Sequence, residues 1–188
     1  MESLLPGRFD PDLTNLIVGP DESAMIQKCL ERLMDETGAT YSMLLDRAGQ
    51  VLSWQGSGHQ AEMMHLGALL AGTYASSQEM ARLLKEENFR VLVQEGMKEK
   101  IFTETVDGRW LLVVVFDHQA HLGLVKVLAK RATESLGTIL QLVIERNESR
   151  RSQMNSGMAK AATDTIDLIF GEDGGARGSA RPDTKEKK

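Results

Sequence analysis

The sequence predicts a mixed α/β domain, α+β in arrangement, in the order αββαβββα. Its sheet has five largely antiparallel strands with helices on both faces. Three observations carry this. Two turn signals, Asp46-Arg47-Ala48-Gly49-Gln50 and Asp107-Gly108, each separate two apolar stretches, as in hairpins. Within residues 109–116, the run from Trp110 to Phe116 is apolar without alternation, which marks a strand covered on both faces. Apolar residues also recur at helical spacing in three separate stretches.

The elements follow in order. Pro20 and Asp21 suit the first turn of a helix. Met25, Ile26, Cys29, Leu30, Leu33 and Met34 give that helix an apolar face, and Gly38 ends it. Residues 41–45 and 51–54 read as strands around a turn in which Gly49 supplies a positive φ. A long helix spans residues 60–86, with Leu66, Leu69, Leu70, Thr73, Ser77, Met80 and Leu84 as its expected core face. Residues 89–93 alternate like a half-exposed edge strand. Strands at 100–106 and 109–116 flank Asp107-Gly108, and a last helix covers residues 122–147.

The boundaries follow from composition. Residues 1–19 are an extension punctuated by proline and aspartate, whose Leu13, Leu16, Ile17 and Val18 are expected to pack on the domain of residues 20–148. Residues 149–188 are polar and rich in glycine and charge, which predicts a largely disordered tail. Within it, residues 163–171 form a short amphipathic island built on Ile166, Leu168, Ile169 and Phe170.

The chain has 188 residues, 41% hydrophobic and 26% charged, with a net charge of −5. That balance gives no general attraction to nucleic acid or to an anionic membrane. One cysteine, Cys29, excludes an intrachain disulfide framework and suits a reducing cytoplasm. The longest apolar run is too short for a membrane span, and the N-terminus lacks the basic start and unbroken apolar stretch of a signal peptide.

No P-loop, dinucleotide fingerprint or nucleophile elbow occurs. His118 and His121 are three apart, but no further ligands complete a metal set, and no activated nucleophile accompanies Asp117. Asp117 fits better as a cap of the turn before the last helix, and Cys29 as a small hydrophobe. The sequence therefore predicts no catalytic residues, no metal and no cofactor.

The middle helix departs from the usual pattern. The sixteen residues 63–78 contain no Asp, Glu, Lys or Arg, so the helix has no charged face. Ala68, Ala71, Gly72, Ala75 and Ser76 stand where that face belongs. Glycine in a helix interior costs roughly 1 kcal/mol relative to alanine, so a packing gain is expected at Gly72. Two readings account for the face: cover by the N-terminal extension, or a protein interface serving a homodimer and a partner. The edge strand, through Phe89, Val91 and Val93, is a second surface for self-pairing.

These residues and their order resemble the roadblock/dynein light chain family over about residues 22–145. The resemblance is carried by Asp46-Arg47-Ala48-Gly49-Gln50, Leu69-Leu70-Ala71-Gly72, Glu87-Asn88-Phe89, Val113-Val114-Val115-Phe116-Asp117 and Leu122-Gly123-Leu124-Val125. It implies a homodimer in which the middle helices lie side by side, with Ala71 and Ala75 among their contacts, and the third strands join the two sheets into one.

In the bacterial branch that the chain is most similar to, the resemblance further implies binding of a small Ras-like GTPase in its GTP form over the paired helices. Hydrolysis is then stimulated by repositioning the GTPase's own catalytic residues, in cell polarity or motility, with recruitment from the cytoplasm to a cell pole. Carried over by position, Gly72, Ala75, Ser76 and Glu79 fall on the partner face, which Ala68 and Ala71 of the charge-free helix face extend; Lys130 and Arg131 match further basic positions, and Arg82 and Arg131 are the arginines to test. Glu79 departs from the small residue the family pattern has there. The island of Ile166, Leu168, Ile169 and Phe170 would dock on the GTPase. A non-catalytic roadblock scaffold is the alternative, and a small-ligand sensor a weaker third reading.

Overall fold

The computed structural model describes residues 16–170. Its elements are α1 (Pro20–Thr37), β1 (Tyr41–Asp46), β2 (Val51–Gly56), α2 (Gln60–Leu83), β3 (Val91–Glu95), β4 (Glu99–Val106), β5 (Trp110–Asp117) and α3 (Leu122–Phe170). This is the predicted order. The sheet runs β2-β1-β5-β4-β3, with every neighbouring pair antiparallel.

Local chemistry sets most boundaries. Pro20 opens α1, and Gly38, at φ 70°, closes it with its N–H donating to the Met34 carbonyl. In the first turn, Asp46 Oδ1 accepts from the backbone N–H of Ala48 at 2.9 Å and Gln50 at 2.8 Å, while Gly49 takes φ 90°. Asp107 and Gly108 both have positive φ, 51° and 66°, as a type I′ hairpin requires. Asp117 Oδ1 accepts from the Gln119 N–H at 2.8 Å, capping the turn before α3.

The last strand in the chain is the central one in the sheet. In β5, Trp110, Leu112, Val114 and Phe116 face a cluster with Ile26, Leu30 and Leu33 of α1 and Val125, Leu136 and Leu140 of α3. Leu111, Val113 and Val115 face the other way, onto Met63, Leu70 and Tyr74 of α2. One sheet face thus carries α1 and α3, the other α2. Leu16 and Val18 pack against the α1 and α3 cluster, whereas Ile17, also expected to pack, is exposed; Leu13 lies outside the described residues. Cys29 is half-buried, with Sγ 3.9 Å from the Ala132 carbonyl, and burial pushes its thiol pKa up.

Two expectations are corrected. The strand expected at residues 89–93 runs instead over Val91–Glu95, and Phe89 lies before it, its carbonyl accepting from Gln78 Nε2 at 3.1 Å. Helix α3 does not end near residue 147 but continues to Phe170, so residues 149–170 are helical. That stretch contains no proline, and good helix formers such as Arg150, Arg151, Gln153, Met158, Ala159, Lys160, Ala161 and Ala162 are interspersed among its Ser, Thr and Asp residues. The disorder expected for 171–188 lies outside the described residues. The chain divides into two units, Met1–Glu145 and Arg146–Lys188. The first contains the sheet with its helices; among the described residues, the second is a single helical stretch.

Candidate protein interface

Helix α2 is seated by small residues and one aromatic anchor. A Cβ on Gly67 would lie 2.8 Å from Val51 Cγ2, and a Cβ on Gly49 would lie 2.8 Å from Ala68 Cα, so the first hairpin and the helix meet almost backbone to backbone. The Tyr74 ring is buried, and the Arg47 guanidinium carbon stands 5.6 Å from its centroid. Burial pushes the Tyr74 phenol pKa up, and the Arg47 charge offsets only part of that. Arg47 Nη1 also donates to the Gly108 carbonyl at 3.5 Å, tying the two turns together. At its C-terminus α2 closes with Lys85 at φ 59°. The N–H of Lys85 donates to the Arg82 carbonyl and that of Glu86 to the Ala81 carbonyl.

This seating rotates the helix relative to the expected core face. The buried residues are Met63, Gly67, Leu70, Ala71, Tyr74, Ser77 and Ala81. Leu69, at 59% exposure, Met80 and Leu84 stand outside. The inner face combines the large anchors Met63, Leu70 and Tyr74 with the small Gly67, Ala71, Ser77 and Ala81, and the close approach at Gly67 turns Leu69 and Met80 outward. Ala71 is therefore corrected: at 5% exposure it packs under α2 and is not on the outer face, where it was expected to meet a partner and a second copy.

Ala68, Gly72, Ala75, Ser76 and Glu79 are exposed or half-exposed, and they share the outer face with Met64, Leu69, Met80 and Leu83. A Cβ on Gly72 would meet nothing within 4 Å, so no contact among the described residues accounts for this glycine. The N-terminal residues that are described, Leu16 and Val18, pack on the opposite side of the sheet and do not cover this face. Where the charge-free stretch ends, Arg82 Nη1 lies 3.0 Å from Glu79 Oε1 and 3.1 Å from Oε2.

Strand β3 is at the edge of the sheet, with Val91 exposed and Val93 half-buried against the α1 and α3 cluster. Lys130 and Arg131 are exposed on α3, across the sheet from α2, so they form no patch with the α2 residues. Lys130 instead belongs to the charged surroundings of Glu104, a buried carboxylate on β4. Ile166, Leu168, Ile169 and Phe170 fall in the last turns of α3, and their side chains lie outside the described residues.

Among the described residues, no three His, Cys, Asp or Glu side chains gather as a metal site, and no helix is long and apolar enough to cross a membrane.

The roadblock/LC7 domain profile matches residues 25–116. Among solved structures, Myxococcus xanthus MglB superposes with a TM-score of 0.63 at 30% identity, covering 68% of this chain and 96% of that one. The chain belongs to the roadblock/LC7 family. The gliding protein MglB of Thermus thermophilus matches at 34% identity and a TM-score of 0.63, covering 66% of this chain and 95% of that one. An MglB described as having a tetrameric arrangement matches at 32% identity and a TM-score of 0.65, covering 69% and 97%. No curated protein sequence matches. This roadblock chain has a five-stranded sheet between α2 and the α1–α3 pair, and carries the αββαβββα order the family resemblance implies.

Proposed function

We propose that this chain is an MglB-type regulator of a small Ras-like GTPase of the MglA type. It acts as a homodimer that binds the GTP-loaded form and stimulates hydrolysis without a catalytic site of its own. The observation that carries this reading is the outer face of α2: exposed, free of formal charge over residues 63–78, and lined by Ala68, Gly72, Ala75 and Ser76. Its support is the identity of 30–34% with MglB structures that the chain covers almost completely. The edge position of β3 supports self-association through Val91 and Val93, with Phe89 beside them, and the tetrameric MglB supports an oligomer. GTP hydrolysis depends on positioning a water and stabilising charge, so a rigid platform that selects the hydrolysis-ready GTPase conformation accelerates it by population shift. The C-terminal stretch with Ile166, Leu168, Ile169 and Phe170 is the second docking element in this reading, in a protein that works in the cytoplasm and at a cell pole.

The test is single-turnover GTP hydrolysis by the MglA-type GTPase of the same organism, with and without this chain. Acceleration is expected, and Ala75→Arg should abolish it with the fold intact. No acceleration at saturating concentration would overturn the reading. Binding without acceleration supports the alternative of a roadblock scaffold, which the charged Glu79 on the docking face favours.

A further inference from the structure

We infer that Glu79 and Arg82 form a self-neutralising pair that lets the charged end of the α2 face be buried under an uncharged surface of the GTP-loaded GTPase. The inference rests on α2 being the GTPase-binding face. Glu79 is the first formal charge after the charge-free stretch and sits in line with Gly72, Ala75 and Ser76 on the exposed side of the helix. A lone carboxylate there would lose its hydration on docking with nothing in return. Arg82 removes that obstacle in advance. Its Nη1 reaches both carboxylate oxygens at 3.0 and 3.1 Å, and the spacing of three residues holds the pair on one patch of helix.

The side chains are 51% exposed at Arg82 and 65% at Glu79, so in the free protein the pair adds little to stability. Its value lies in binding. The patch approaching the partner carries no net charge along its whole length, from Ala68 to Arg82. The partner surface this fits is apolar and uncharged opposite the pair, because a basic group would draw Glu79 away from Arg82 and an acidic one would capture Arg82. The departure at Glu79 from a small residue is thus matched within the same helical turn.

The test is a double-mutant cycle on affinity for the MglA-type GTPase loaded with a non-hydrolysable GTP analogue. Glu79→Ala and Arg82→Ala should each weaken binding about tenfold, while the double variant stays within about threefold of the unaltered chain. Exchanging the two residues, Glu79→Arg with Arg82→Glu, preserves neutrality and should also preserve binding. Additive losses in the cycle, or loss of binding on exchange, would mean that the partner reads the individual charges and would overturn the inference alone. A variant with altered oligomeric state by size-exclusion chromatography places the pair between copies and overturns it too. Failure of the unaltered chain to bind the GTPase overturns both this inference and the functional reading beneath it.

Discussion

Gly67 of α2 stands so close to Val51 of β2 that a Cβ on it would lie 2.8 Å from Val51 Cγ2 and 3.1 Å from the Gly49 carbonyl oxygen. The helix reaches its place on the sheet only because this position has no side chain. Gly67→Ala should therefore destabilise the protein by roughly 1–3 kcal/mol through overpacking. Gly72→Ala, five residues on, should do the opposite. Its Cβ meets open space, and alanine gains about 0.5–1 kcal/mol in a helix interior. Urea denaturation of the two variants should show midpoints moving in opposite directions.

Thr103 of β4 lies between Leu92 and Val113 in the sheet register, and its Oγ1 is buried with no hydrogen-bond partner among the described residues. Removing the hydroxyl removes a desolvation cost that nothing repays. Thr103→Val should stabilise the fold by about 1 kcal/mol. Thr103→Ser, which keeps the hydroxyl and loses the methyl, should cost about 1 kcal/mol. Equilibrium unfolding of both variants checks the pair of signs.

Lys85 occupies a left-handed conformation, φ 59°, at the position after the end of α2 where glycine is usual. Lys85→Gly relieves that strain and loses part of the gain to the freer unfolded chain, for a net stabilisation of about 0.5–1 kcal/mol. Thermal melting should show a higher Tm, with the change concentrated in slower amide exchange at the end of α2.

Burial raises the Glu104 carboxyl pKa above the ordinary range, while Arg90 and Lys130 offset part of this and Glu134 adds to it. The folded chain therefore holds this proton more tightly than the unfolded chain. The resulting stabilisation is complete below the ordinary carboxylate pKa and is lost as pH rises through the folded-state value. Glu104→Gln mimics the protonated form. It should raise Tm at about pH 7, and the gain should shrink toward about pH 4, where the native glutamate is itself protonated.

All eight elements were legible because each carries its own period or punctuation. Pro20 and Gly38 bracket α1, Asp107-Gly108 forces the hairpin, and the apolar run of β5 records burial on both faces. The orientation of α2 was not legible. Hydrophobicity marks Leu69, Met80 and Leu84 as core, whereas packing buries Gly67, Ala71 and Ala81 beside Met63, Leu70 and Tyr74 and leaves those three out. Of the small residues expected on the outer face, Ala68, Gly72, Ala75 and Ser76 are exposed and Ala71 is buried, since a stretch without charge on either side does not by itself fix the rotation of the helix. The separation of Lys130 from α2 depends on which sheet face each helix covers, and spacing along the chain carries no record of that. The length of α3 is not legible, because a polar, glycine-containing stretch without proline is compatible with either a helix or an unstructured tail.

The position of β5 also governs how the chain can be assembled during synthesis. The β1–β2 hairpin and the strands β3 and β4 share no pairing with each other; both groups join only through β5, where Tyr41 meets Val115 and Glu104 meets Leu112. Until residues 110–117 leave the ribosome, Met43, Leu44 and Leu45 present an apolar strand with one edge open. The sheet closes through the β1–β5 ladder, whose partners stand about seventy residues apart, whereas the other three ladders join strands adjacent in the chain, so the first hairpin is the part that must wait for a distant partner.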